Sequence, residues 1–405
     1  MIKYLHILFL ILSGCATYQN KVSPARNFLS QGQCDLALKN LDELSNKTGG
    51  DQLVYLMDYG SALQICGNYS KSNSIFLQAE KLADENDYTS ASRVTGATLF
   101  NEEMLQYKGD TFEKLFLNVS LATNYLQLQN FDDALIEVRK MNQKFVKLNS
   151  ENKKKFELNS FSKYLSGLIW EADKKYDDAC IDFKDAYFLD TNYRSVAGDM
   201  LRTCWKAHRT DEYNTLVKKI SATDEEIKKS KDYKKTELIL LFMQGWGPRK
   251  APRHGDNISA HLVPVYSQTQ QLKAEIDDKT YLSESVYNVE HAAIQTLEGD
   301  YGSLIARRIA ARAAKEVLAH QIRQKDGALG AVAWLAMVAS ERADLRQWSI
   351  FPKTFQIIRI PVVAGENKIK LTGLDSAGAM SEQMPELVFK INSGEKKFQI
   401  IRSLK

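Results

Sequence analysis

Chemistry in this chain of 405 residues has to come from few side chains. The histidines beyond the N-terminal stretch are His208, His254, His261, His291 and His320. None has metal-ligand spacing to another His or to a Cys, and no H-E-x-x-H occurs. There is no G-x-S-x-G and no phosphate-binding glycine loop. Gly245-Trp246-Gly247-Pro248-Arg249-Lys250 comes nearest to such a loop, but its spacing is wrong and proline has no amide N–H to offer an anion. Asp277-Asp278 and the pair Glu284 and Glu290 read as surface carboxylates. Two clusters stand as candidate binding or structural motifs. Trp246, Pro248 and Lys250 shape the exit from a strand. Asp344, Arg346 and Trp348 set an Asp–Arg pair beside an indole, which could bind a glycan or a partner's backbone, or could lock a helix onto a β unit. With no catalytic set, metal site or cofactor motif, the expectation is a protein that is not an enzyme.

The five thiols carry more information. Lys3 and the terminal amine precede an apolar run from Leu5 to Leu12, broken only by His6, as in a secretory signal. It ends in Leu12-Ser13-Gly14-Cys15, which is similar to a bacterial lipobox: small residues before a thiol nucleophile that accepts a diacylglyceryl group. Residues 1–14 are therefore expected to be removed, and residues 15–23 to form a lipidated tether. The expected location is the outer membrane, facing the periplasm, because Ala16 stands where an inner-membrane retention signal places Asp. More than one acyl chain gives stable anchoring, at about 0.8 kcal/mol per buried CH₂.

Hydrophobic residues make up 44% of the chain, enough for ordinary cores, and no apolar run approaches the roughly 18 residues of a membrane span. A net charge of +4 is too small to imply nucleic-acid binding. Over residues 24–222 a pattern recurs: Gly32-x-Cys34-x-x-Ala37, Gly67-x-Tyr69-x-x-Ser72, Gln129-x-Phe131-x-x-Ala134 and Lys174-x-Tyr176-x-x-Ala179, each followed by apolar residues at helical spacing. These segments resemble second helices of tetratricopeptide repeats, in which small residues let paired helices approach closely. The intervals exceed the usual period of about 34. The surplus leaves room for a degenerate repeat near Ala91–Gln106 and an insert at Asn149–Phe156 carrying Lys153-Lys154-Lys155. A last helix pair is expected at Asn192–Ile220. Such arrays present extended surfaces to peptides or proteins.

The repeat register also arranges the remaining thiols. The start of one second helix lies beside the end of the next first helix, which pairs Cys34 with Cys66 and Cys180 with Cys204. In an oxidising periplasm these become disulfides. The alternative is four buried thiols acting as small hydrophobes in tight seams.

A Lys-rich linker is expected at 223–235, then an α/β region at 236–350 and a β-hairpin unit at 351–405. Glu237–Met243 reads as a buried strand, Ala260–Ser267 as an edge strand and Lys279–Val286 as a third. Helices are expected at Tyr287–Leu297, at Ser303–Gln324 and over the apolar segment Ala328–Ala339. Thr354–Val362 with Lys368–Leu374, and Glu386–Ile391 with Lys396–Leu404, read as two hairpins. The fold class expected is mainly α: a helical repeat array followed by an α+β domain that ends in β-hairpins.

Six segments together carry a family likeness. They are the Cys15 motif, Tyr107-x-Gly109-x-x-x-Glu113, Ala134-Leu135-Ile136-Glu137-Val138-Arg139, Gly245-x-x-Pro248-x-Lys250, Ala343-Asp344-x-Arg346-x-Trp348 and Ile360-Pro361-x-x-x-Gly365. In that order they resemble a family of bacterial outer-membrane lipoproteins with N-terminal tetratricopeptide-like repeats and an α/β C-terminal half. The resemblance implies a cell-envelope protein, in a family sometimes encoded near lipoprotein activators of peptidoglycan synthesis, and it brings no catalytic residues. The functional expectation is a lipid-anchored periplasmic scaffold or adaptor that binds envelope protein partners through its repeats, in peptidoglycan or outer-membrane assembly. The alternative is a carbohydrate- or peptidoglycan-binding lipoprotein that uses Trp246, Arg346 and Trp348.

Overall fold

The structure is a computed structural model and describes residues 18–97, 106–150, 159–232, 236–254, 256–325, 327, 329–331, 334 and 343–405. Cys15, Lys153–Lys155, part of the Ala91–Gln106 segment and most of the Ala328–Ala339 helix lie outside the described residues.

Helices α1 (Tyr18–Ser30), α2 (Cys34–Ser45), α3 (Gln52–Ile65), α4 (Tyr69–Ala97), α5 (Thr111–Gln127), α6 (Phe131–Ser150), α7 (Ser160–Ala172), α8 (Tyr176–Leu189), α9 (Arg194–Lys206) and α10 (Thr210–Lys219) follow as successive pairs. One turn joins the members of every pair. Gly32, Gly67, Gln129, Lys174 and His208 all take positive φ at that turn. The next residue's N–H then reaches back to Phe28, Leu63, Tyr125, Trp170 and Cys204, respectively. This closes each first helix in a Schellman motif. Within the pairs, a small residue on the first helix meets a large one on the second. A Cβ on Gly60 would lie 2.5 Å from the Phe76 ring, and one on Gly167 would lie 2.8 Å from Phe183. The same interval of 16 residues separates Ala25 from Leu41 and Ala122 from Val138, all four fully buried. The chain's own turns and packing thus establish tetratricopeptide-like repeats.

Disulfides join Cys34 to Cys66, with Cα atoms 5.9 Å apart, and Cys180 to Cys204, at 4.8 Å. Each ties the start of a second helix to the end of the following first helix. Peptide mapping of the non-reduced full chain is expected to recover both cross-linked pairs. Removing either bridge by paired Cys→Ser substitution is expected to lower stability by about 3 kcal/mol through loop entropy in the unfolded chain. Four alkylatable thiols in the non-reduced protein would overturn both bridges.

The Lys-rich segment forms a helix, α11 (Asp224–Lys231), started by a capping box in which Thr223 and Glu226 satisfy each other's backbone N–H. Tyr213 and Ser230 share a hydrogen bond of 2.8 Å, and Lys231 lies over Trp205, so this helix is packed onto the array.

The strands are β1 (Glu237–Gln244), β2 (Arg249–Arg253), β3 (Asp256–Val263), β4 (Gln271–Ile276), β5 (Lys279–Leu282), β6 (Glu284–Asn288), β7 (Thr354–Pro361), β8 (Gly365–Leu374), β9 (Met380–Gln383), β10 (Leu387–Ile391) and β11 (Lys396–Ser403). Their pairing corrects the two expected hairpins. β7 pairs with β1 and β6, whereas β8 pairs with β4, β9 and β10. β11 runs parallel to β1 and not against β10. The two sheets therefore draw strands from both sides of residue 350. The third expected strand also divides, at Ser283, between β5 in one sheet and β6 in the other. The physical reason lies in β1, which is buried on both faces. Leu238, Leu240 and Phe242 pack between the sheets with Leu272, Ile358, Ile369 and Phe389. Ile239, Leu241 and Met243 pack against the helical array. A strand apolar on both sides needs strand neighbours on both edges, and β7 and β11 supply them.

The two helices expected at Tyr287–Leu297 and Ser303–Gln324 are one, α12 (Val289–Lys325). Gly299 and Gly302 cost about 1 kcal/mol each in a helix interior, too little to break it. The Ile305/Ala306/Arg308/Arg312 faces expected on this helix lie outside the described side chains. Among the described residues, no helix is long and apolar enough to cross a membrane.

Candidate functional site

A repeat array offers its inner face, made of first helices, to ligands. Here that face is occupied by the chain's own segment Ala343–Phe355. On α3, the fully buried Asp58 accepts hydrogen bonds from the backbone N–H of Ser349 (2.9 Å) and of Ile350 (3.0 Å). It also accepts from the hydroxyls of Ser349 and Tyr18. Next to it, Ser61 accepts from the Trp348 indole N–H at 2.7 Å. At the head of α5, Glu113 accepts from Trp348 N at 2.8 Å, from the Tyr107 hydroxyl at 2.6 Å and from Asp110 N at 2.8 Å. The last contact completes a capping box. Gly109, at φ +74°, makes the turn that brings Tyr107 over this carboxylate. Rings fill the space between: Phe351 lies edge-on to Phe116 at 4.6 Å, and Phe355 stacks on Phe161 at 4.1 Å.

The sequence-singled residues converge on the same joint. Arg346 makes a two-pronged pair with Asp344 (2.9 and 2.7 Å), reaches Asp51 at 3.3 Å and lies over the Tyr107 ring. Lys250 donates to the Arg346 carbonyl at 2.9 Å and pairs with Asp110 at 3.4 Å. Gln347 clamps the glycine-rich loop from the other side, donating to the Pro248 carbonyl at 2.6 Å and accepting from Lys250 N. Trp246 donates its indole N–H to the Leu404 carbonyl. Stacking a sugar requires an open ring face, and Trp246 and Trp348 are 8% and 4% exposed. Lys250, Arg346 and Trp348 thus tie the C-terminal half to the helical array, while Trp246, Pro248 and Asp344 brace them from within the C-terminal half.

Burial raises both acceptor carboxyls. Asp58 is pushed up to about 6 and Glu113 to about 7, the latter also by the neighbouring charge of Asp110. The sign follows from linkage. The folded values exceed the roughly 4 of the unfolded chain, so the folded state holds more protons in between. The stability these groups contribute is complete below about pH 4 and is lost as pH rises through 6 and 7. Unfolding midpoints are expected to fall over that window, and Asp58→Asn should flatten part of the slope. An unchanged slope in that variant would remove Asp58 as a cause.

Sequence reading did not single out a second charged cluster, beneath β1. Glu171, at the end of α7, is fully buried. It meets Arg202 of α9 at 3.0 Å, Arg359 of β7 at 2.9 Å and Lys396 of β11 at 3.4 Å. Glu237 of β1 pairs with Arg359 at 2.7 Å and with Lys396. Asp199 takes Arg202 at 2.7 Å, Arg359 at 3.2 Å and the Tyr164 hydroxyl at 2.7 Å. Burial alone would raise Glu171, but Arg202, Arg359 and Lys396 hold it well below the usual carboxylate range. Nothing local announces these residues, because their partners come from five separate elements. Asp58 did leave a signal: it is the one charged residue in α3, whose other side chains are neutral and mostly buried.

No protein-family model and no curated relative matches this chain. Solved structures that match include MamA from Desulfovibrio magneticus RS-1, at 16% identity and TM-score 0.33, covering 53% of this chain and 98% of that one. Another is MamA of AMB-1, at 15% identity and TM-score 0.32, covering 51% and 90%. A further MamA crystal structure matches at 11% identity and TM-score 0.34, covering 53% and 93%. Scores this low carry no weight for what the chain does, and the repeat assignment stands on its own turns and helix pairs.

Proposed function

We propose that the chain is a lipid-anchored, periplasm-facing scaffold of the bacterial outer membrane that holds an envelope protein partner. The observation that carries this reading is how the array treats its own C-terminal half. First helices grip a nonhelical segment through backbone N–H groups, as a repeat array grips a peptide. The partner surface is then the outer one, made of second helices, where large apolar side chains stand in solvent: Leu36 on α2, Leu77 on α4, and Ile136 and Val146 on α6. This moves partner binding away from the inner groove. The anchor reading rests on the Cys15 motif, and the envelope-assembly reading on the family resemblance.

Photo-crosslinking amino acids placed at Ile136 and Val146 in growing cells are expected to trap one recurrent protein. Placement at Ser61, under Trp348, should give only internal crosslinks. No adduct from any outer position would sink the scaffold reading. Separately, Cys15→Ala is expected to release the protein from the membrane fraction, and unchanged fractionation would refute the anchor.

A further inference from the structure

A cavity of about 260 Å³ opens between α1 and the Gly245 loop. Its lining includes Arg26, Arg249, Ser23, Asn27, Val22 and Trp246, and it contains no Asp or Glu. Arg26 lies over the Trp246 ring, its guanidinium carbon 4.6 Å from the centroid, and the Arg402 guanidinium carbon is 5.8 Å from the same centroid. Two guanidinium groups, those of Arg26 and Arg402, thus face one indole, and Arg249 lines the same cavity as Arg26. Among the described residues none of the three forms an ion pair with a carboxylate. Arg249 donates to the neutral Gln19, and Arg402 donates to the Met243 carbonyl while its Nη2 is buried without a partner. Asp58, the carboxylate that acts on Arg26 from a distance, is engaged by Ser349, Ile350 and Tyr18. Burial and the Arg26 charge bring Arg402 down to about 9, and burial lowers Arg26 itself.

Arg26 is half-buried with no carboxylate among the described residues paired to it, and such a guanidinium is costly unless an anion joins it, while the exposed Arg249 adds a second positive charge at the mouth. We infer that this cavity binds a phosphate group, held by Arg26 and Arg249 with the Ser23 hydroxyl and the Asn27 amide. Two guanidinium forks with two further neutral donors exceed what a carboxylate's two oxygens accept, and suit the oxygens of a phosphate. The cavity is larger than inorganic phosphate needs, and Val22 and Trp246 give it an apolar wall, so the natural ligand is a phosphate ester. A lipid headgroup and a soluble phosphate ester share this chemistry.

The test is calorimetric titration of the full chain with inorganic phosphate at constant ionic strength, chloride replacing phosphate in the control. Saturable binding is expected, about tenfold weaker in Arg26→Gln and in Arg249→Gln, the loss of one charge-assisted hydrogen-bond set. Arg249 is exposed, so its variant keeps the fold even if Arg26→Gln does not. Lys229→Gln, which removes one exposed charge on α11, should bind like the parent. Absence of saturable binding, unchanged affinity in both arginine variants, or equal weakening in Lys229→Gln would each overturn the site. The source is assigned by flotation with phosphatidylglycerol vesicles, using Cys15→Ala so that no acyl chain contributes. Flotation suppressed by free phosphate and by Arg249→Gln identifies a headgroup, and phosphate binding without flotation identifies a soluble ester.

Discussion

Replacing Arg359 with methionine is expected to lower the unfolding free energy by about 3–5 kcal/mol, read as a drop in the denaturant midpoint. Arg359 is the cation that touches all three acids of the buried cluster: Glu171, Asp199 and Glu237. Without it, three carboxylates face only Arg202 and Lys396. Two charges then have to balance three in a site where Glu171 has no access to water. Methionine keeps much of the side-chain length, so the loss reports charge and not a cavity. The cluster joins α7 and α9 to β1, β7 and β11, so the damage should fall on the seam between helices and sheet. Adding Glu171→Gln to Arg359→Met removes one stranded charge, and the double variant should lose less than the sum of the two single losses. A midpoint shift worth less than about 1 kcal/mol, or strict additivity, would show that the cluster does not act as a unit.

Trp348→Ala is expected to cost a similar amount, about 3–5 kcal/mol, for a different reason. The indole sits between the Phe76 ring at 5.7 Å and the Phe351 ring at 4.7 Å, and its N–H is held by Ser61. Truncation leaves a void at the centre of the inner face and loosens the segment whose backbone N–H groups Asp58 and Glu113 accept. Limited proteolysis should then cut within residues 343–352 much faster than in the parent. Trp348→Phe separates the terms: it keeps most of the ring and loses one hydrogen bond, a cost of about 1 kcal/mol. If Trp348→Ala left both the midpoint and the cleavage pattern unchanged, the segment would not be docked on the inner face in solution.

Several parts of this architecture could be read one residue at a time. The helix pairs announced themselves through Gly32, Gly67 and the small and aromatic residues that follow them. The thiol positions followed from the same register, and the structure joins the same two pairs. Tyr107, Gly109 and Glu113 were visible as a motif, as were Gly245, Pro248 and Lys250, and Asp344, Arg346 and Trp348. What could not be read was that these three motifs are one site. Trp348 and Glu113 are separated by 235 residues, and Trp348 and Ser61 by 287. Such pairs leave no periodicity in a single sequence, so each motif reads as an independent candidate. The strand partners failed for a related reason. β10 and β11 are adjacent in the chain and alternate properly, yet β1, apolar on both faces, took β11 for itself.

The sequence by itself determined most of the local elements: the paired helices with the turns that open each second one, the thiol register, and strands such as β1, β7, β8, β10 and β11 as individual runs. These depend on contacts within a few residues, where backbone geometry and side-chain size decide the outcome. Only the tertiary structure decided what fills the inner face, which strands share a sheet, and how Glu171, Glu237 and Asp199 are neutralised. Those outcomes depend on burial, which is a property of what packs above a residue and not of its neighbours in the chain. A buried charge must find its counter-charge wherever the fold brings one, and here it came from the far half of the molecule.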